Sequence, residues 1–304
     1  MTMNRRGFIK WMGTGTAVSC WQPSVLLGAG EVTKLVLLHT NDVHSRIDPF
    51  PMDGSRNQGG GGTARRAAII KQIRASEAHL LLVDAGDMFQ GTPYFNLFGG
   101  ELELKLMSQM QYDAGTIGNH DFDGGIDGLA RQLVHATFPL INSNYILDNT
   151  PLTGKVKAHQ IFERGPLKIG IFGVGIELEG LVPKTLYGDA RYTDPLLKAN
   201  EMARFLRREE RCDLVICLSH LGYSYKENKV SDQILADQSR DLDIIIGGHT
   251  HTFMPKPEMR RNLDGEPVII NQVGWGGLVL GRLDIFFEKN RRRKCVSCQN
   301  TLIN

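Results

Sequence analysis

The sequence has no large excess of charge of either sign and, beyond its first thirty residues, no apolar run long enough to cross a membrane. Its 304 residues include 35 Lys and Arg against 33 Asp and Glu, for a formal net charge of +2 at pH 7. This balance does not indicate nucleic acid or an anionic membrane as the main partner. Because 41% of the residues are hydrophobic, the chain can bury a sizeable core, as one large domain or two small ones.

Cysteine is scarce, at five residues. Cys212 and Cys217 flank an apolar stretch, which predicts burial. Cys295 and Cys298 form a C-x-x-C motif, but no second pair is present to complete a zinc ribbon. We interpret these four residues as structural, with a disulfide as an option in an oxidising compartment.

A phosphate-binding loop of the P-loop type is also missing. The run "GGGG" at 59–62 is not followed by Lys and Ser or Thr, so a flexible turn is favoured over a phosphate cradle. The basic run "KNRRRK" at 289–294 lies between two predicted strands. We interpret it as a solvated turn, with a polyanion contact as the weaker alternative.

The first thirty residues differ in character from the rest. Arg5 and Arg6 precede a moderately apolar run rich in glycine and threonine, which resembles a twin-arginine export signal. An amphipathic first helix is less favoured, because the glycines and the proline in this run would weaken it. The stretch "AVSC" resembles a lipoprotein box with Cys20 as the lipidated residue. We expect an export signal at 1–30 and a periplasmic protein, either soluble or anchored to the membrane by lipid.

Apolar runs bounded by turn residues predict strands that alternate with helices through most of the chain. The predicted strands cover 34–39, 80–84, 113–117, 168–174, 213–219, 243–247, 267–273 and 278–288. The predicted helices cover 63–76, 101–110, 126–135, 194–210 and 231–238. This alternation is typical of an α/β protein with helices outside a sheet, and the later hairpin-like strands indicate a second or mixed sheet.

Residue types that bind metals follow five of the predicted strands. They are Asp42 with His44, Asp87, Asn119 with His120, His220, and His249 with His251. Ligands of α/β sheets bind beyond the carboxyl ends of the strands, so such a series predicts a converging site. A single histidine is more often structural than a ligand. That interpretation is kept for the histidines outside the series, His39, His79, His135 and His159.

The Asp, Asn and His side chains of this series have the borderline hardness that suits Zn, Mn, Fe or Co. In "NDVH" and "GGHTH" two of them are two residues apart. On an extended backbone they would project to the same side, toward one cation or two neighbouring ones. Even without His120, the seven other side chains of the series are too many for one tetrahedral ion, but they suit two ions that share a carboxylate, an arrangement used in phosphoryl transfer.

Five motifs in order, "NDVH", "DAGD", "GNHDFD", "LSHLG" and "GGHTH", resemble the calcineurin-like metallophosphoesterases over residues 35 to about 285. Their closest likeness is to the catalytic domain of 5'-nucleotidases and UDP-sugar hydrolases, which "GGTARRAAIIKQIR" and "GDMFQGTP" also resemble. The resemblance implies that residues 31–304 form a metallophosphoesterase catalytic domain. Its implied fold is a four-layer α/β/β/α sandwich of two mixed sheets with flanking helices.

The resemblance also implies a role for each matching residue. One metal ion would be held by Asp42, His44, Asp87 and His251, and the other by Asp87, Asn119, His220 and His249, with Asp87 bridging. His120 matches the family's catalytic histidine and Asp123 the carboxylate that orients it. The nucleophile would be a water or hydroxide made acidic by two divalent ions, Zn or Mn ahead of Fe or Co.

The sequence departs from the family's pattern in two places. Asp121 stands where the subfamily usually has Glu, and we assign no chemical role to it. The chain also stops shortly after the last predicted strands, without the C-terminal domain whose aromatics stack on the base in the family's 5'-nucleotidases. One option is that a separate chain supplies such a domain. The other is that the loop 91–100 stacks on the substrate through Tyr94, Phe95 and Phe98, although core packing of these aromatics is slightly favoured.

We therefore expect an exported dinuclear phosphohydrolase that cleaves nucleoside 5'-phosphates by attack of a metal-activated water. The alternatives within enzymes are a cyclic-nucleotide phosphodiesterase, a UDP-sugar hydrolase and a thiosulfohydrolase-like enzyme. A binding protein on the same scaffold is a different class. A binding module, however, has no need for a full ligand set together with His120 and Asp123. The substrate-binding residues are not predicted.

Overall fold

The computed structural model describes residues 32–227, 229–288 and 295–304. The predicted export signal, the lipidation site at Cys20 and the basic run 289–294 lie outside the described residues. Within the described ranges, strands and helices alternate in the order that the sequence predicts.

The described strands, in chain order, are β1 (Val32–Thr40), β2 (Leu80–Asp84), β3 (Ala114–Gly115), β4 (Leu140–Ile141), β5 (Tyr145–Ile146), β6 (Val156–Lys157), β7 (His159–Arg164), β8 (Leu167–Gly175), β9 (Arg191–Tyr192), β10 (Leu214–His220), β11 (Ile244–Gly247), β12 (Glu258–Arg261), β13 (Pro267–Asn271), β14 (Val279–Glu288), β15 (Cys295–Cys298) and β16 (Thr301–Leu302). The α-helices are α1 (Thr63–Ser76), α2 (Pro93–Phe98), α3 (Glu101–Gln109), α4 (Ile126–Gln132), α5 (Lys184–Tyr187), α6 (Pro195–Arg204) and α7 (Asp232–Gln238). Shorter helical turns are the 3₁₀ turns His120–Phe122 and Leu133–His135 and the π-helical turn Phe205–Glu209.

Two mixed sheets contain most of these strands. The first has the order β15-β14-β1-β2-β3-β4-β6, with β16 paired to β14. Its strands β1, β2, β3, β4 and β6 run parallel, and β14 is antiparallel to β1. The second has the order β12-β13-β11-β10-β8-β7, in which β8, β10, β11 and β13 are parallel. Each sheet therefore directs the carboxyl ends of its central strands to a single edge.

The residue alternation of β1 shows how the sheets are layered. Leu35 and Leu37 lie in a buried cluster that joins both sheets, and this cluster also contains Ile171 of β8 and Ile216 of β10. Successive side chains of a strand point to opposite faces, so Val36 and Leu38 lie in another cluster, against the helices that cover the first sheet. A third cluster packs α6 and α7 against the outer face of the second sheet. The four-layer α/β/β/α sandwich implied by the resemblance is confirmed.

Local signals set several element ends as predicted. The range 63–76 is helical and 80–84 is a strand, as the sequence predicts. The α6 helix begins after Asp194, whose carboxylate accepts hydrogen bonds from the backbone N–H groups of Leu196 and Leu197 at 2.8 and 3.1 Å. The helix predicted at 194–210 is α-helical only to Arg204 and ends in the π-helical turn. The strand predicted at 113–117 is reduced to Ala114–Gly115.

The remaining structural expectations have mixed outcomes. Cys212 and Cys217 are buried as predicted and carry free thiols. Cys298 also carries a free thiol, which donates to Oδ1 of Asn300 at 3.3 Å, so the structure does not bear out the disulfide option. The run 59–62 forms a turn that packs on the chain around Phe50. Among the described residues, no helix is both long and apolar enough to cross a membrane.

Candidate metal centre

The predicted ligands come together where the carboxyl ends of strands from both sheets meet. Asp42 and His44 follow β1, Asp87 follows β2 and Asn119 follows β3. His220 is the last residue of β10, while His249 and His251 follow β11. Strand pairing alone aligns β1 with β2 and β10 with β11, so it brings these turns to the same edge of each sheet.

Six of the side chains form two compact triads. Asp42, His44 and His251 each offer a ligand atom within 4.8 Å of the other two, and Asp87, His220 and His249 do the same. In the first triad, Nε2 of His44 lies 3.0 Å from Nε2 of His251, which is 3.4 Å from Oδ1 of Asp42. These spacings leave room for a cation coordinated by all three groups in each triad.

Asp87 belongs to the second triad and also lies close to the first. Its Oδ2 is 3.1 Å from Nε2 of His220 and 3.8 Å from Nε2 of His44. Its Oδ1 accepts a hydrogen bond of 2.8 Å from the backbone N–H of His120. Asn119 joins the second triad, with its Oδ1 2.9 Å from Nδ1 of His249. The structure thus groups all seven predicted ligands around one shared carboxylate.

Neighbouring carbonyl groups fix which ring nitrogen faces the centre. Nδ1 of His220 donates to the carbonyl of Ala85 at 2.7 Å, and Nδ1 of His44 donates to that of Phe89 at 3.2 Å. Nε2 of His220 is fully buried and has no hydrogen bond of good geometry. An inward-facing imidazole nitrogen without a partner, held by a hydrogen bond at the other ring nitrogen, is the arrangement of a metal ligand. The residues therefore fit a pair of divalent cations.

Backbone conformation corrects the sequence-based explanation of this geometry. We expected "NDVH" and "GGHTH" to be extended, but their ligands adopt left-handed turns. Five of the seven predicted ligands have positive φ, namely Asp42 (50°), His44 (52°), Asp87 (56°), His249 (72°) and His251 (52°). This conformation costs about 1–2 kcal/mol for each residue with a side chain, and such strain clusters at functional sites. Tight turns, rather than strand alternation, make the ligands converge.

The pKa shifts favour neutral imidazole at two positions. Burial lowers the pKa of His44, although the charges of Asp87 and Asp42 act against this. Burial and the neighbouring His220 lower the pKa of His249 to about 4. Neutral imidazole is the form that binds a metal ion. Burial acts to raise the pKa of Asp87, but the adjacent His220 holds it well below its usual range.

His120 and Asp123 form a hydrogen-bonded pair at the mouth of the centre. Nδ1 of His120 donates to Oδ2 of Asp123 at 2.8 Å, and the imidazole is 39% exposed. Burial acts to lower the pKa of His120, but the charge of Asp87 and the contacts with Asp123 outweigh it and raise the pKa. The ring also lies edge-on to that of His44, with centroids 5.3 Å apart. The pair can therefore present a protonated imidazole beside the triads.

Asp121, to which we assigned no chemical role, has a clear structural one. Its buried carboxylate accepts hydrogen bonds from four backbone N–H groups at 2.8–3.1 Å, those of Asp87, Met88, Phe89 and Gly118. These contacts tie the turn after β2 to the turn after β3. The "GNHDFD" motif thus fixes the position of the shared carboxylate as well as providing the pair described above.

Two buried amides that the sequence did not single out hold the ligand turns from behind. Nδ2 of Asn41 donates to Oδ2 of Asp42 at 2.6 Å and to the carbonyl of Gly274 at 2.6 Å. Nε2 of Gln272 donates to the carbonyl of Gly248 at 2.7 Å, and its Oε1 accepts from the backbone N–H of Thr252. Only the position of Asn41 beside Asp42 could have pointed to such a role from the sequence.

The aromatic loop 91–100 lies beside the site in part only. Phe95 stacks on Phe89, with centroids 5.7 Å apart, and packs against the hydrophobic core. Tyr94 donates its hydroxyl to Asp48 at 2.7 Å, and Phe98 is 46% exposed. Core packing, the favoured option, therefore describes Phe95. The histidines His39, His79, His135 and His159 belong to neither triad.

Two partly buried triads, with Asp87 of one triad close to His44 of the other, lie at the edge where two sheets of an α/β/β/α sandwich meet, and this arrangement is that of a metal-dependent phosphoester hydrolase. The chain belongs to the calcineurin-like phosphoesterase family, which matches residues 35–253. It is therefore a phosphoric ester hydrolase of a dinuclear, metal-dependent family, and its two triads are the candidate metal sites.

Similar proteins include several 5'-nucleotidases. The snake venom 5'-nucleotidase of Crotalus adamanteus is 33% identical over 293 residues, which cover 88% of this chain and 47% of that protein. The structure of a 5'-nucleotidase precursor from Thermus thermophilus superposes with a TM-score of 0.79 at 29% identity, covering 89% of this chain and 55% of the other. For the NAD nucleotidase of Haemophilus influenzae the TM-score is 0.77 at 27% identity, covering 90% and 57%. The chain spans about half the length of the curated relatives it matches.

Proposed function

We propose that the chain hydrolyses nucleoside 5'-phosphates at a two-metal site built from both triads. The observation that carries the proposal is the position of Asp87, whose carboxylate lies within 4 Å of a histidine from each triad. One ion would be held by Asp42, His44, Asp87 and His251. The other would be held by Asp87, Asn119, His220 and His249. Two such divalent ions supply an acidified water and neutralise charge on the phosphoryl oxygens.

The other side chains have roles that follow from their contacts. His120 stands beside both triads with its Nδ1 committed to Asp123, so its Nε2 is the atom that can donate a proton to the leaving oxygen. Asp123 fixes the ring orientation and stabilises the protonated imidazole. Asp121 holds the backbone of Asp87, and Gln272 holds the turn with His249 and His251. These contacts hold the proposed metal ligands in place before a substrate binds.

The choice of nucleoside 5'-phosphates as substrate is supported by the relatives. Several of those with about one-third identity over most of this chain are 5'-nucleotidases. A screen of nucleoside 5'-phosphates, cyclic nucleotides, UDP-glucose and p-nitrophenyl esters, with Zn or Mn added, tests it. We expect release of inorganic phosphate from AMP and UMP, and its loss in His120→Ala. Hydrolysis of cyclic nucleotides or UDP-glucose with no phosphate released from AMP or UMP would contradict the proposal.

We also propose that the protein is exported, which Arg5 and Arg6 support together with the apolar run after them. The residues concerned lie outside the described ranges. Expression in a bacterium with a twin-arginine pathway, followed by cell fractionation, tests the proposal. We expect the protein in the periplasmic or membrane fraction, and retention in the cytoplasm when both arginines are replaced by lysine. If the unaltered protein and the lysine variant were found in the same cell fractions, the proposal would be contradicted.

A further inference from the structure

A small cavity of about 250 Å³ opens beside the candidate metal centre. Three of the residues that line it, His44, His120 and His251, are already placed at the centre or at its mouth. The proposed function assigns no role to two others, Arg46 and Trp275. Of these lining groups Arg46 is the one with a permanent positive charge, because a guanidinium stays protonated at any physiological pH.

Arg46 stacks on an aromatic ring that is linked to the centre through two further ring contacts. Its guanidinium lies 4.3 Å above the ring of Phe50, which meets Trp275 edge-on with centroids 5.3 Å apart. Trp275 in turn lies parallel to His251 at 5.8 Å and an interplanar angle of 15°. A guanidinium stacked on an aromatic face keeps its N–H groups directed outward in its own plane. The stack therefore aims Arg46 without using its hydrogen-bond donors.

The base of this stack is rigid. Phe50 is buried and packs against Val273 and Leu278. Its backbone N–H donates to the carbonyl of Gly60 at 2.8 Å, and its carbonyl accepts from the N–H of Gly59 at 2.9 Å. The glycine run 59–62 thus has a structural role that the sequence alone does not predict. It fixes the ring that supports Arg46.

The donors of Arg46 are not used up by the protein. Its Nε is buried and has no hydrogen-bond partner, and no carboxylate in the described part of the chain lies within salt-bridge distance of its guanidinium. Burial lowers the pKa of Arg46, and the nearby charge of Asp48 counteracts this only in part. The carboxylate of Asp48 instead accepts the hydroxyl of Tyr94. The two terminal nitrogens of the guanidinium also have no hydrogen-bond partner among the described residues, so an anionic ligand that accepts hydrogen bonds from them would gain affinity.

We propose that Arg46 is a substrate-binding residue whose guanidinium donates to the non-bridging oxygens of the phosphate ester, and that it selects dianionic monoesters over monoanionic diesters. The assignment rests on the proposed function and narrows its substrate class. Arginine matches the oxygen spacing of a phosphate with two parallel donors. Coulomb energy is proportional to charge, so its attraction for a monoester dianion is about twice that for a diester monoanion at the same distance.

Replacement of Arg46 by Gln tests this assignment with two readouts. The first is binding of inorganic phosphate to the metal-loaded protein by calorimetry, which does not depend on turnover. The second is kcat/KM for p-nitrophenyl phosphate and for bis(p-nitrophenyl) phosphate. We expect phosphate binding and monoester kcat/KM to fall by about 10- to 100-fold, the usual range for a lost charge-assisted hydrogen bond. The diester should fall by about the square root of that factor.

Two further variants serve as controls. Arg56 is an exposed arginine that does not line the cavity, so Arg56→Gln removes the same charge nearby and should leave both readouts unchanged. Arg46→Lys keeps the charge but not the planar fork, and should restore part of the phosphate affinity. Metal content by elemental analysis should be equal in all four proteins.

The outcomes separate this inference from the function on which it rests. Equal losses for monoester and diester, or unchanged phosphate binding in Arg46→Gln, would overturn the assignment of Arg46 while hydrolysis by the unaltered protein stands. Absence of hydrolysis of every ester by the unaltered protein would overturn the proposed function. In that case phosphate binding would still decide whether Arg46 contacts the anion.

Discussion

The Nε2 atoms of His44 and His251 lie 3.0 Å apart, although 207 positions separate the two residues in the chain. Two ring nitrogens at this distance, with Oδ1 of Asp42 3.4 Å from one of them, must share either a proton or a cation. The left-handed backbone at both histidines shows that the fold maintains this contact at a cost. A cation bound by all three groups offsets that cost, since a metal that binds only the native state stabilises it.

Removal of the shared carboxylate should therefore reduce metal content. We expect close to two transition-metal ions per chain in the unaltered protein supplied with Zn or Mn, and fewer in Asp87→Ala, because this side chain contacts histidines of both triads. Elemental analysis after desalting measures the number of metal ions bound per chain. Asp127→Ala, which removes an exposed carboxylate from α4, is the matched control. Unchanged content in Asp87→Ala would rule out a bridging role.

Proton transfer should be separable from metal binding. His120→Ala is expected to lower kcat by roughly 10²- to 10⁴-fold, the usual contribution of a positioned acid or base. Metal content should stay the same, because the imidazole of His120 belongs to neither triad. Asp123→Asn should have an intermediate kcat, since an amide can still accept the hydrogen bond from Nδ1 but no longer stabilises the imidazolium. Steady-state kinetics with unaltered activity in either variant would refute the assignment.

The parts of the fold that the sequence predicts are those with a strong local pattern. The strand 80–84 is a continuous apolar run, and the helix 63–76 follows a glycine run that ends the preceding loop. The two-residue strand β3 and the π-helical end of α6 were predicted less well. Pairing with neighbours in the first case, and packing of Leu206 in the core in the second, decide those bounds. Local propensity does not contain this information.

The residues of the candidate site also fall into those that the sequence predicts and those that it does not. Asp, Asn and His at strand ends are recognisable from the sequence because few other roles place these residue types there together. Arg46 and Gln272 have no such signature. Gln272 reaches the ligand turn because β13 pairs with β11, and Arg46 reaches the cavity because Phe50 lies beneath it. Their roles arise from tertiary contacts between residues far apart in the chain, which spacing within a motif cannot show.

Gln272 holds both ends of the turn 248–252 by hydrogen bonds, a contact that we call the Gln272 clamp. We expect this clamp to control metal affinity, although Gln272 is not a metal ligand. Gln272→Glu keeps the acceptor for Thr252 but replaces the donor to Gly248 with a carboxylate oxygen that faces a carbonyl. We expect the turn from Gly248 to Thr252, which carries His249 and His251, to become less ordered. Metal affinity should then fall by roughly 10- to 100-fold, as for other residues that orient ligands. Competition with a chelator measures this affinity. Gln299→Glu makes the same change at an exposed position, and equal chelator curves for both variants would contradict the clamp.

A single methyl group at Gly118 should displace the shared carboxylate. A Cβ at this position would lie 2.2 Å from Oδ1 and 2.5 Å from the backbone nitrogen of Asp87, and neither atom belongs to a flexible side-chain end, because Asp121 and His120 hold this turn by hydrogen bonds. Forced overpacking of this kind typically costs about 1–3 kcal/mol. We therefore expect Gly118→Ala to lose both metal and activity and to melt at a lower temperature.

Gly124 provides the matched control for this change, a short distance further along the same loop. A Cβ there would meet only the ring of Phe95, at an ordinary contact distance of 3.4 Å. Gly124→Ala should therefore keep its metal, and its kcat should stay near that of the unaltered protein. Elemental analysis, thermal melting and kinetics on the pair decide the point. If Gly118→Ala retained two ions per chain and normal activity, the close contact between the turns after β2 and β3 would not be what positions Asp87.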